Sequence, residues 1–131
     1  GYIMSCMVIL GLGGKKYSKD HIKGTAEVIS ACSPHYVGAL TLYLENGIKQ
    51  EFIDKYEGEF VKINDDEGLE ELYDLVNQID TNEEIVFRVN HGSNAYTVKG
   101  TFPQDKQEML EKVEWMKDHP EIIRPEGIRG F

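Results

Sequence analysis

The chain has 131 residues, 40% of them hydrophobic and 28% charged, which suits one compact domain with a genuine core and argues against intrinsic disorder. Against 14 Lys and Arg stand 23 Asp and Glu, a formal charge of −9. That balance argues against a nucleic-acid binder, which needs clustered cations to release counterions from phosphates. The longest apolar stretch, 7–12, falls far short of the roughly 20 residues a membrane span needs.

The two cysteines, Cys6 and Cys32, lie in apolar segments at a spacing that makes neither a zinc site nor a disulfide framework. Both are expected to be buried, reduced and hydrophobic in character, which points to a reducing, cytoplasmic compartment. No basic start precedes the apolar opening and no small-residue cleavage site follows it, so no signal peptide is read.

The chain opens on Ile3 to Leu10, continuous in apolar residues apart from Ser5, and this predicts a fully buried strand. A central strand at the first residues lacks neighbours, which suggests a piece of a longer protein. Gly11-Leu12-Gly13-Gly14-Lys15 follows as a turn. Ser18 is placed to cap a helix with Asp20 in its first turn, and Ile22, Ala26 and Ile29 share one face of that helix to about Ala31. Ser33-Pro34 ends it, and Tyr36 to Leu44 reads as a second buried strand. The unit is βαβ, so these two strands are expected to be parallel.

Beyond Gly47 a short helix carries Phe52, Ile53 and Tyr56. Another begins near Asp65 or Asp66, with Leu69, Leu72, Tyr73, Val76 and Ile79 as its apolar stripe. Ile85 to Val89 is a third strand. Tyr96 to Lys99 either pairs back onto it or extends away. Pro103 opens a last helix in which Leu110, Val113 and either Met109 or Met116 face inward; the Trp115-Met116 pair is assigned to the core. The tail from Pro120 to Phe131 carries two prolines and four apolar side chains in need of packing.

Ligands of parallel α/β sheets collect beyond the carboxyl ends of the strands. With three parallel strands, Gly11–Lys15, Glu45–Gly47 and Asn90–Asn94 fall on that rim. A Walker loop is excluded, because Ile9 stands where its first glycine belongs and Lys16 where Ser or Thr belongs. The dinucleotide fingerprint fails at the same Lys16. Asn90, His91, Ser93 and Asn94 crowd four hydrogen-bonding side chains at one strand end, either as a polar site or as a hairpin turn. His21, His35 and His119 show no ligand spacing and read as surface or capping residues. Asp65, Asp66, Glu67, Glu70, Glu71 and Asp74 read as a solvated helix face rather than a metal site.

Taken together, these pieces resemble a known family. The strand ending in Gly-Leu-Gly-Gly (11–14) is followed by His21 and Thr25-Ala26, then by Leu40-Thr-Leu-Tyr-Leu-Glu45 with Gly47 and by Gly58-Glu59-Phe60. Glu70-Glu-Leu72 leads to Phe87-Arg88-Val-Asn90-His91-Gly-Ser93-Asn94, Lys99-Gly100-Thr-Phe-Pro103-Gln-Asp105-Lys106 and Arg124-Pro125-Glu126 with Arg129-Gly130. In this order they resemble the C-terminal half of a radical S-adenosylmethionine (radical SAM) protein of the Fe–S oxidoreductase type.

The resemblance implies an α/β fold equivalent to part of a β/α barrel, with residues 1–131 as one C-terminal segment. In that superfamily a Cys-x-x-x-Cys-x-x-Cys loop holds a [4Fe–4S] cluster that chelates SAM, and one electron cleaves SAM to a hydrogen-abstracting radical. Two distant cysteines cannot supply three clustered thiolates, so this chain alone is expected to bind neither cofactor and to be inactive without the missing N-terminal half. Ile9 and Gly11 match a family pattern that packs on the adenine of SAM, whereas Met7 and Gly14 depart from it. The implied cofactor contacts are Ile9, Gly11, Leu12, Gly13 and Tyr43. Substrate contacts are expected from Asn90, His91, Ser93 and Asn94. A cut barrel exposes strand edges, so a homodimer or higher oligomer is expected. The alternatives are a stand-alone α/β module binding a small anionic ligand on the Gly11 and Asn90 rims, and a structural or interaction domain.

Overall fold

The computed structural model describes residues 3–41, 51, 54–56, 63–89, 96–119 and 121. The described elements run β1 (Ser5–Leu10), α1 (Ser18–Cys32), β2 (Tyr36–Thr41), α2 (Asp65–Gln78), β3 (Ile85–Val89), β4 (Val98–Phe102) and α3 (Lys106–Lys117). They form a mixed α/β fold around one open, four-stranded sheet. Strand order follows chain order, β1-β2-β3-β4. β1 with β2 and β2 with β3 are parallel, as the βαβ pattern predicts, and β3 with β4 is antiparallel.

Period-two alternation decides which face of the sheet is covered. Val8 and Leu10 of β1, Val37 and Ala39 of β2, Ile85, Phe87 and Val89 of β3, and Val98 and Phe102 of β4 point one way into a single apolar cluster. Into the same cluster α1, α2 and α3 send their apolar stripes: Ile22, Ala26 and Ile29 from α1, Leu69, Leu72, Leu75 and Val76 from α2, and Met109, Leu110, Val113 and Met116 from α3. α1 packs on α2 and α2 on α3. The helices therefore form one layer on one face. Phe87 and Phe102 meet edge to face at its centre, ring centroids 5.6 Å apart.

The other face carries Met7, Ile9, Tyr36, Gly38, Leu40 and Arg88, and none of α1, α2 and α3 lies over it. This corrects the expectation that β1 is buried on both sides. Among the described residues it is an edge strand, and Met7 is 59% and Ile3 84% exposed. The run is continuously apolar because both of its faces are apolar, while only one is covered by described residues.

Other local differences have simple causes. Ser18 is the first helical residue rather than the cap, which is Tyr17; its hydroxyl is drawn away to Glu71. α2 has a complete capping box, the Asn64 side chain accepting from the Glu67 N–H and the Glu67 carboxylate accepting from the Asn64 N–H. α3 starts at Lys106 and not at Pro103, because Asp105 folds back to bond the Thr101 N–H at 2.9 Å. Met109 and Met116 are both buried, while Trp115 is 44% exposed and stacks on His119. Cys6 packs partly against the core, and Cys32 is exposed at the end of α1 rather than buried.

Candidate functional site

Because β1, β2 and β3 are parallel, Leu10, Thr41 and Val89 end on one rim of the sheet. The turn after β1 is the best-defined part of that rim. Gly11 (φ 86°) and Gly14 (φ 62°) adopt left-handed conformations that favour glycine, and the Gly14 N–H closes the turn on the Gly11 carbonyl at 2.9 Å. At Gly13 the need is space: a Cβ there would come within 2.9 Å of the Tyr17 carbonyl oxygen. The turn is thus pressed directly onto the start of α1.

Four side chains hold it. Glu71, only 2% exposed, is the sole buried charged residue among those described. One of its oxygens accepts the Gly11 N–H at 2.9 Å, and the other accepts the Ser18 hydroxyl at 2.6 Å. The Tyr56 hydroxyl donates to the Gly13 carbonyl at 2.6 Å, and its ring meets Tyr17 at 5.4 Å. His21 Nε2 lies 3.0 Å from the Ile9 carbonyl. A carbonyl can only accept, so Nε2 carries the proton. On the outer side Lys15 reaches the Glu67 carboxylate at 3.3 Å. The backbone bonds of Asn64 and then Lys15 hold the Glu67 carboxyl below its ordinary value of 4.5.

This geometry has a chemical consequence. An N–H on a glycine turn next to a helix start is a ready anion receptor. Here the protein's own carboxylate occupies it, taking Gly11 N–H and Ser18 O–H together. A phosphate would have to displace a buried, doubly hydrogen-bonded carboxylate. The rim suits a ligand that brings no anion to this point and docks by apolar contact.

Of the residues expected to hold cofactor, Ile9 sits half-buried on the uncovered face beside Met7, and Leu12 is 37% exposed at the turn. Gly11 and Gly13 shape the turn, but Gly11 N–H and Gly13 C=O are engaged internally. Tyr43, Asn90, His91, Ser93 and Asn94 lie outside the described residues. Val89, just ahead of the last four, ends on the same rim as Leu10. Glu71 and His21 are the residues that sequence reasoning missed. Glu71 stands four before Leu75 and three after Gly68, both buried, and that spacing places it against the apolar stripe rather than on the solvated face.

A larger concavity of about 750 Å³ runs along the outer edge of β4, lined by Arg88, Lys99, Asp105, Glu108, Met109 and Lys112 among others. Its charges are mixed, and Arg88 Nη1 is already bound to the Phe87 and Gly100 carbonyls at 2.7 and 3.0 Å. It converges on no single chemistry. Among the described residues no group of three His, Cys, Asp or Glu is placed to hold a metal ion, and no helix is long and apolar enough to cross a membrane. No family model, no curated protein and no solved structure matches the chain.

Proposed function

We propose that this chain is the C-terminal segment of a radical SAM enzyme, lending apolar contacts for the adenine of SAM and part of the substrate rim to a reaction whose cluster is held elsewhere. The observation that carries the reading is the one-sided winding. Three parallel strands in chain order with α1, α2 and α3 all on one face are what an arc of a β/α barrel has, whereas a doubly wound sheet puts helices on both faces. The face with Met7, Ile9 and Leu40, which α1, α2 and α3 leave uncovered, then corresponds to the barrel interior. β4 departs from the pattern by running antiparallel, and it finishes the sheet beyond β3.

The cluster does not fit this chain. Cys6 lies against the core, Cys32 is exposed at the far end of α1, and three thiolates are required. SAM fits better. Its adenosine carries no phosphate, which agrees with a rim whose anion receptor is filled by Glu71. Ile9 and Leu12 would hold the adenine by apolar contact, with the Gly11 turn setting their height above the sheet. When bound with its cluster, SAM supplies hydrogen-abstracting radical chemistry. This segment's own work is to bind, orient and exclude water. The N-terminal half is proposed to join along β1, whose Ser5–Leu10 run has no charged residue to guard its edge. The isolated chain is expected to self-associate through the same edge.

The test is the full-length protein, loaded anaerobically with iron and sulfide. SAM should perturb the electron paramagnetic resonance spectrum of its reduced cluster, and Ile9→Asp should weaken SAM binding on the order of tenfold, as expected for a charge placed on an apolar contact. A full-length protein that assembles no cluster, or whose SAM affinity ignores Ile9→Asp, overturns the reading.

A further inference from the structure

Glu71 is a buried carboxylate on α2 whose two oxygens reach across to a different part of the chain. It bonds the first residue after β1, Gly11, and the first residue of α1, Ser18. The rest of the turn is fixed around that carboxylate. Gly14 closes on Gly11, Gly13 bears on the Tyr17 carbonyl, and His21 holds Ile9 from the strand side. A carboxylate that ties a βα turn to a neighbouring helix has the donors, the location and the burial of a bound anion. It differs only in being covalently part of the protein.

We propose that Glu71 is the resident anion of the β1–α1 turn, a positioning residue that sets the backbone of Ile9–Leu12 where the adenine of SAM docks. The SAM part rests on the function proposed above; the seating of the carboxylate does not. The bond directions leave little slack. With Gly11 at φ 86° its N–H points away from the sheet's own ladder and toward α2, so without an acceptor there it would be unpaired. A cleft of about 310 Å³ leads to Glu71 from outside, lined by Lys15, Lys16 and Lys19 together with the carboxylates of Asp20, Glu67, Glu70 and Asp74. Removing the side chain frees the Gly11 N–H and Ser18 O–H donors, and the cleft gives a small carboxylate a way to them.

The experiment reads the Gly11 amide by NMR in the 131-residue chain. In Glu71→Ala its proton should lose the downfield position of a charge-assisted hydrogen bond, and its exchange with solvent should quicken on the order of tenfold or more. Sodium formate should restore both saturably, and sodium chloride at equal ionic strength should not. The Phe87 and Val89 amides, remote in the core, should stay unchanged. Glu71→Gln keeps the volume and gives the same reading without a cavity: its Gly11 amide should also move upfield but ignore formate. A Gly11 amide indifferent to both substitutions, or formate acting no differently from chloride, overturns the seating. In the full-length protein, Glu71→Ala should weaken SAM binding roughly tenfold, with recovery in formate. A Gly11 amide that responds while SAM affinity stays constant overturns the positioning role. A wild-type protein that binds no SAM overturns the functional reading and leaves the seating standing.

Discussion

Replacing Gly13 by alanine tests how closely the β1–α1 turn is pressed onto its helix. The added Cβ would lie 2.9 Å from the Tyr17 carbonyl oxygen, 3.0 Å from its carbon and 3.2 Å from the His21 Cβ. None of these neighbours is a flexible side-chain end. The Tyr17 carbonyl accepts the His21 N–H at 2.8 Å, and the Tyr17 N–H bonds the Gly13 carbonyl at 3.2 Å, so the helix start cannot move without straining its own first bonds. Overpacking of this kind costs about 1–3 kcal/mol. Gly24, in the middle of α1, is the internal control: a Cβ there meets nothing within 4 Å. Gly24→Ala should gain about 0.8–1 kcal/mol from helix propensity alone. Urea denaturation of the two variants should therefore separate them in opposite directions from wild type, by about 2–4 kcal/mol in total. A Gly13→Ala chain as stable as wild type would refute the close seating of the turn.

Asn64→Ala removes the capping box of α2 and should cost about 1 kcal/mol in the same assay. Glu67, its partner, has a folded-state pKa below 4.5, so its contribution is present above that value and fades as pH falls through the depressed one; Glu67→Gln should flatten the stability profile on that acid limb. Tyr73 is shifted the other way. The neighbouring Glu114 carboxylate raises the phenol above 10.0, so the contribution is complete below 10.0 and is lost as pH rises through the raised value. Ultraviolet titration of Glu114→Gln should show a tyrosine ionising at lower pH than in wild type. Phe87→Ala, which empties the centre of the core opposite Phe102, should cost about 3–5 kcal/mol.

The winding was legible because periodicity and chirality carry it. Ile22, Ala26 and Ile29 repeat at helical spacing between two apolar strands, and that pattern alone dictates parallel β1 and β2. Whether β4 pairs with β3 was open from Tyr96–Lys99, and the ladder from Ile85–Phe102 to Val89–Val98 decides it. The edge position of β1 was not legible. An apolar residue states that it can be covered, not that it is, and Met7 and Val8 look alike in sequence while facing opposite ways. Glu71 was hidden for a related reason. A carboxylate beside five others reads as solvated, and only the donors that Gly11 and Ser18 bring from elsewhere in the chain explain its burial. His21, read as a surface or capping residue, belongs to the rim because the turn folds Ile9 back over the first turn of α1.

The claim that this sheet is an arc of a radical SAM barrel is tested most directly by reading the gene upstream of the codon for Tyr2. The account predicts an in-frame coding sequence that continues upstream and contains Cys-x-x-x-Cys-x-x-Cys after a predicted strand. An in-frame stop codon shortly before a start codon, or a long upstream frame without that cysteine loop, would contradict it.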